Sequence, residues 1–528
     1  MNVADYIIVG GGSAGCVLAN RLSEDGSSSV ILLEAGQPSD GLLFRMPTGT
    51  HKLLGRPRAD WMHMAEPDPS INHRRVMWTS GRALGGGSAI NGMVYVRGER
   101  YELDEWAANG CTGWGWNDVL PYYKRAEDFQ GPPTDSHGCG GPLSVTPQRV
   151  IHPLAEAFVD ACMQSGLRRL GDYCSGDQDG AFFLFATQKN GERWSTARGY
   201  LGPAIRRQNL RVVTGMLAER VEIESGRATG VWAVRDGQSQ LFQARREVIL
   251  CAGAVMSPAI LMRSGIGPGA HLQEMGVDVR RDMPGVGRNL QEHPSFPLSH
   301  LVNVKTYNAM LGPADIARNF VAYMLARRGV MASAAIQAMA FLRSDPELQH
   351  PDIKLSFAPF CTDIKTRAMG RHSGITIYTG ISRPKSRGEI RLRSCDAGDP
   401  PVIDHRLLGH PDDVIRLIKG IKQVERIFEA PALANYLVGR NIPQFAPGDD
   451  AAWETQVRTL TGIGYHPVGT CRMGSDNDSV VDLKLAVRGI EGLRVADASI
   501  IPLLNSANTN APVIMVAERA ADLIHKRV

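Results

Sequence analysis

At 528 residues the chain is about two to four times an ordinary domain, and with 43% hydrophobic and 21% charged residues its make-up is that of a globular protein. That composition excludes disorder, collagen and coiled coil as whole-chain descriptions, and 58 basic against 54 acidic residues, with no block of like charges, leaves no nucleic-acid footprint. Glycine is the outlier at 57 residues, which points to backbone that must turn sharply or approach a ligand closely. The nine cysteines are odd in number and contain no C-x-x-C pair, so a disulfide framework or a metal site is not expected.

The chain opens on an apolar strand, Tyr6 to Val9, followed by a helix over 13–23 and a second buried strand, Val30 to Leu33. The early strand leaves no room for a signal core, and the longest uncharged apolar stretch, 248–262, is too short for a membrane span of about 20 residues. The expectation is a soluble, cytoplasmic protein with no transmembrane segment. Residues 35–80 are punctuated by prolines and read as loop, with a glycine cluster at 81–87 and an apolar run at 94–96. Helical spacing covers 117–128 and 153–166, and strands follow at 210–213, 219–223, 230–234 and 248–250. Beyond Pro294 the pattern predicts a helix over 314–327, mixed strands around 353–393 and a helix over 411–429. A Gly-rich loop, a short strand at 492–495 and a closing helix from about Pro512 complete the chain.

The first chemistry-bearing motif is Gly10-Gly11-Gly12-Ser13-Ala14-Gly15, a G-x-G-x-x-G turn. Such a turn also has purely structural uses, but here a strand precedes it and a helix follows. Gly10 permits the turn, Gly12 lets N–H groups touch a pyrophosphate, and Gly15 lets helix and strand pack closely. Glu34 ends the second strand about twenty residues later, where a carboxylate accepts hydrogen bonds from a ribose diol. These residues imply a dinucleotide and leave NAD and FAD both open. The second motif, Gly81 to Asn91, places three glycines between Leu84 and Ile90, unlike a solvated linker. The third, Gly253 to Gly267, follows a buried strand, with Ser257 expected as N-cap, Pro258 as first helical residue and Gly265 as C-cap.

The second and third motifs resemble, position by position, the two signature patterns of the glucose–methanol–choline (GMC) flavoprotein oxidoreductases. Gly285 to His293, Tyr465 to Thr470, Leu493 to Ser499 and Asn508 to Pro512 agree with the same family, and the likeness runs from residue 5 to about 525, thinnest over 300–455. The resemblance implies an α/β composite: a discontinuous Rossmann-like FAD-binding domain at 1–150, 195–300 and 460–528, and an interleaved substrate-binding domain at 151–194 and 301–459 with an antiparallel sheet and helices. It implies FAD held by Gly10, Gly12, Ser13, Ala14, Gly15, Glu34, Ala35, Arg82, Leu84, Gly85, Gly87, Asn91, Gly92, Met93, Val94, Ala218, Ala252, Gly253, Asp497, Ala498, Asn510, Ala511 and Pro512. His466 stands where such enzymes keep the base for the alcohol hydroxyl, and Asn510 where they keep its partner.

The residues support those roles. Pro467 restricts His466 to extended backbone, an ordinary imidazole pKa of about 6.5 suits a base near neutral pH, and a core histidine is the bland alternative. Some choline-oxidising members tether FAD through a histidine where this chain has Ile90, so non-covalent FAD is expected. Gln337 and Tyr465 are expected in the substrate pocket. Choline-like members carry a glutamate at the position of Gln337, and no aromatic residue occurs from Met331 to Ala340, so a neutral primary alcohol is the expected substrate. Oxygen, a quinone or a redox protein would be the electron acceptor. The competing readings are a redox-silent relative of lyase or photodecarboxylase type, a choline-type dehydrogenase, and an NAD-dependent dehydrogenase; the last leaves every motif after Glu34 unexplained.

Overall fold

The computed structural model describes residues 2–363 and 369–525. Strand β1 (Val3–Val9), helix α1 (Ser13–Leu22) and strand β2 (Val30–Glu34) form a parallel βαβ unit, Tyr6 pairing with Val30 and Val9 with Leu33. Both strands are apolar and almost wholly buried, as a sheet covered on both faces requires. Gly15 makes the unit possible: a Cβ there would lie 1.9 Å from the Gly10 carbonyl oxygen. Strands β3 (Leu210–Thr214), β4 (Leu217–Glu224), β5 (Arg227–Arg235) and β6 (Gln238–Leu250) extend the sheet in the order β3-β2-β1-β6-β5-β4. Strand β6 is long because it serves two neighbourhoods. Its first half pairs antiparallel with β5, and its last residues pair parallel with β1 on one side.

Helix α2 (Gly253–Arg263) follows β6 directly. The helix begins five residues before Pro258, so Ser257 is no N-cap and the expected start is corrected. An internal proline leaves the carbonyl four residues back without its helical partner. Thr470 Oγ1 donates to that Ala254 oxygen at 2.6 Å, which makes the proline tolerable. Gly265, at φ 83°, follows the helix as expected.

A second, antiparallel sheet contains β7 (Pro294–Val302), β8 (Ala338–Leu342), β9 (Ile353–Ala358) and β10 (Gly374–Ile381). Helix α3 (Pro411–Glu429) packs on one face, its Gly420 bringing the backbone up against Ile353. Strands β11 (Leu437–Ile442) and β12 (Gly462–Ile463) both pair with β7. Part of the strand region expected around 353–393 falls at 364–368, outside the described residues. Strand β13 (Leu493–Val495) returns to the first sheet beside β6, and α4 (Asn510–His525) closes the chain against α1. The closing helix therefore starts two residues before Pro512. The architecture is the expected α/β composite. No helix among the described residues is long and apolar enough to cross a membrane.

Candidate active site

A cavity of about 1150 Å³ runs from the carboxyl ends of β1, β2 and β6 to the open face of the second sheet. At its first end, α1 has Gly12 as N-cap and no side chain capping its first turn, so N–H groups and the positive end of the helix dipole are available to an anion. The second glycine cluster lies across the first, with Gly85 N donating to Gly11 O at 2.7 Å. Glu34 accepts from Gly11 N through one carboxylate oxygen and from Gly36 N through the other, each at 2.7 Å. Burial raises its carboxyl above the usual range while those two N–H groups pull it back. Glu34 thus shapes the glycine loop as well as facing the cavity. Asp497 does the same beside α2: one oxygen accepts from Gly253 N (2.8 Å) and Ser257 Oγ (2.5 Å), the other from Ser499 N and Oγ.

A dinucleotide fits this end. Cβ atoms on Gly87, Gly92 or Gly253 would meet no protein atom within 4 Å, so three glycines in the wall leave open a cradle that side chains would fill. The buried Asn508 Oδ1, also in the wall, has no protein partner and is free to accept from a ligand.

The opposite wall is the second sheet, and register decides which side chains reach it. Lys354 pairs with Gly380 and Gly380 with Ser295; Ser356 pairs with Tyr378 and Tyr378 with Pro297. All six line the cavity. With a side-chain period of two, the intervening Ile353, Leu355 and Phe357 turn towards the helices.

Between the two ends lie His293 and His466. Gly464 lets them meet, because a Cβ there would fall 2.9 Å from His293 Cβ and 3.1 Å from His466 Nδ1. His293 Nε2 stands 2.9 Å from Ser382 O and 3.1 Å from Asn505 O, two atoms that only accept, so Nε2 carries the proton. Burial, then Lys354, hold this imidazole well below its usual pKa and hence neutral. Its Nδ1 is therefore bare, and His466 Nδ1, 2.9 Å away, must be the donor. His466 is itself pushed well below 6.5, by burial first and then by Lys354 and His293, which corrects the ordinary value expected from sequence. A neutral imidazole protonated at Nδ1 has its lone pair on Nε2, which has no partner among the described residues. Glu292 fixes the backbone of both histidines, accepting from His293 N at 2.8 Å and from His466 N at 2.8 and 2.9 Å. Tyr465, just before His466, sits in the left-handed region at φ 66°, an uncommon conformation for a bulky residue.

Asn510 begins α4, and its Oδ1 accepts from Ser13 Oγ at 2.7 Å, joining the first turns of α4 and α1 at the cavity. Its amide N–H groups are then the free donors. Of the residues read from sequence, Gly10, Gly12, Ser13, Ala14, Glu34, Ala35, Gly87, Asn91, Gly92, Val94, Ala218, Ala252, Gly253, Tyr465, His466, Asp497, Ala498 and Asn510 line the cavity. Gly15 is packed under β1, Arg82 lies over the Trp61 ring at 4.8 Å, and Leu84, Gly85, Met93, Ala511 and Pro512 support the wall from behind.

Gln337 is a correction. Its side chain is wholly buried away from the cavity, accepting from His152 N at 2.8 Å and donating to Tyr307 Oη, Ser333 Oγ and Val150 O. Ile336 reaches the wall instead. Aromatics from outside 331–340 contribute to the wall: Trp61, Phe360, Tyr378 and Tyr465. Sequence reading gave no role to His293, Glu292 or Lys354. A lone lysine inside the apolar run Ile353-Lys354-Leu355 was the available signal for the last.

Comparison with known proteins shows the family. The family model described as GMC oxidoreductase matches residues 4–295, and its C-terminal counterpart matches 384–517. The chain is 40% identical over 533 residues to the oxygen-dependent choline dehydrogenase of Sinorhizobium medicae (strain WSM419), covering 99% of this chain and 95% of that one. It is 39% identical over 535 residues to an alcohol dehydrogenase [acceptor] of Pseudomonas putida, covering 99% and 96%. Among solved structures, pyridoxine 4-oxidase from Mesorbium loti superposes with a TM-score of 0.90 at 32% identity, over 99% of both chains.

Proposed function

The chain belongs to the GMC oxidoreductase family, flavoproteins that use FAD, and from that premise we propose that it oxidises a neutral primary alcohol to the aldehyde with His466 as base. The observation that carries this reading is the bare Nε2 of His466, left by the donor bond from its Nδ1 to His293 and set in a cavity that also contains a dinucleotide cradle.

Bound FAD would supply the acceptor for the hydride leaving the alcohol carbon. The protein's part is the proton and the geometry. His466 Nε2 takes the hydroxyl proton; the resulting imidazolium keeps its Nδ1–H bond to His293. Glu292 and the Tyr465–Pro467 turn hold the ring still, and Asn510 Nδ2 is free to donate to the substrate oxygen. The cradle side is the open α1 N-terminus with Glu34, Asp497 and Asn508. Ile90, buried in the wall, carries no nucleophile, which supports non-covalent FAD.

The test is anaerobic titration of the purified yellow protein with a panel of aliphatic and aryl primary alcohols. Bleaching of the flavin with stoichiometric aldehyde supports the reading; a flavin that no alcohol reduces overturns it.

A further inference from the structure

We propose that Lys354 is the residue that sets the charge of the substrate: its ammonium in the cavity wall selects alcohols without positive charge and rejects those carrying a quaternary ammonium. This rests on the alcohol-oxidising reading above and adds to it the property by which one alcohol is chosen over another.

The geometry is fixed by β-sheet register. Lys354 lies on the row Ser295–Gly380–Lys354–Phe341: the buried Phe341 flanks it on β8, while on the β10 and β7 side its neighbours Gly380 and Ser295 are small and line the cavity with it. The residue is 7% exposed and belongs to the cavity wall. Among the described residues its Nζ makes one bond, to Ser506 O at 3.2 Å, although an ammonium has three donors to place. A buried charge with two unspent donors favours a ligand that brings acceptors and opposes one that brings a second cation. Lys354 lines the same cavity as His293 and His466, and its charge lowers both imidazoles.

The remaining charges in the wall do not reverse that sign. Arg74 and Arg75 add positive charge, Asp363 one negative. Glu34 and Asp497 lie at the dinucleotide end with their oxygens engaged by backbone N–H and hydroxyl donors. The aromatic side chains Trp61, Phe360, Tyr378 and Tyr465 could in principle face a cation, but an aromatic wall attracts one only weakly beside a fixed ammonium of like charge.

The charge of Lys354 is itself conditional. Burial lowers the ammonium to about 7, opposed by Glu102 and Glu292. The groups facing it are those two carboxyls, both raised by burial, and the two histidines, both held neutral. As pH rises through about 7 the ammonium loses its proton, and Glu292, pushed up to about 8 by burial, gains negative charge above it, so both changes relax the rejection of a cation.

The experiment compares choline with 3,3-dimethylbutan-1-ol, which has carbon in place of the quaternary nitrogen and so differs in charge and scarcely in shape. The wild-type holoenzyme should favour the neutral alcohol by about tenfold or more in kcat/KM. Lys354→Met should bring that ratio towards one, Lys354→Arg should keep it, and in the wild type it should fall between about pH 6 and pH 8.5. The pH arm decides the matter if Lys354→Met fails to retain FAD. A wild type that prefers choline, a ratio unchanged in a folded Lys354→Met, or a ratio independent of pH overturns the proposal. Bleaching by 3,3-dimethylbutan-1-ol distinguishes this failure from that of the alcohol-oxidising reading, which falls only if no alcohol reduces the flavin.

Discussion

His293 Nδ1 lies 2.9 Å from His466 Nδ1, a contact between residues 173 positions apart. Two nitrogens at that distance share one proton, and the carbonyls on His293 Nε2 determine which ring supplies it. The free lone pair of His466 is therefore set from behind the ring, by a residue that need not touch the substrate.

Replacing His466 with Ala should leave FAD bound, since no cradle residue depends on the imidazole, while kcat falls by about 10²–10⁴, the usual weight of a positioned base. Steady-state turnover at saturating alcohol, with flavin content measured by absorbance, checks this. Wild-type turnover in the variant would refute the base assignment.

The pH profile has a definite sign. A base must be unprotonated to act, and burial, Lys354 and His293 all lower His466. Activity is therefore lost only when pH falls through that lowered pKa, and the plateau of kcat/KM should extend below 6.5. An acid limb at or above 6.5 for the free enzyme would contradict the burial argument.

His293→Ala removes the acceptor for His466 Nδ1 and with it the preference for the productive tautomer. Turnover should fall by about tenfold or more with FAD retained, because the lone pair is no longer held on Nε2. Wild-type turnover in the variant would contradict the tautomer assignment.

Acid precipitation should release intact FAD into the supernatant, because Ile90 can form no bond to a flavin. Colour remaining in the pellet would show a covalent link made by another side chain of the wall.

Much of this was legible from residues alone. The βαβ unit at 3–34 and its glycine turn follow from periodicity and from the conformations only glycine adopts, and the family motifs led to His466 and Asn510, both in the cavity wall. What failed did so for reasons of register and tertiary compensation. Gln337 and Ile336 are neighbours, and in extended chain neighbours face opposite ways, so a one-residue choice put the wrong side chain in the pocket. Pro258 looked like a helix start because the compensating hydroxyl of Thr470 is over two hundred residues distant in sequence. Lys354 went unread because strand pairing alone determines which face of β9 meets the cavity.

The most direct test is the anaerobic half-reaction followed in a stopped-flow spectrometer, wild type against His466→Ala, with one neutral primary alcohol. The account predicts full bleaching of the wild-type flavin with one aldehyde formed per FAD, and a limiting rate lower by about 10²–10⁴ in the variant. Equal limiting rates in the two proteins, or a wild-type flavin that stays oxidised, would contradict it.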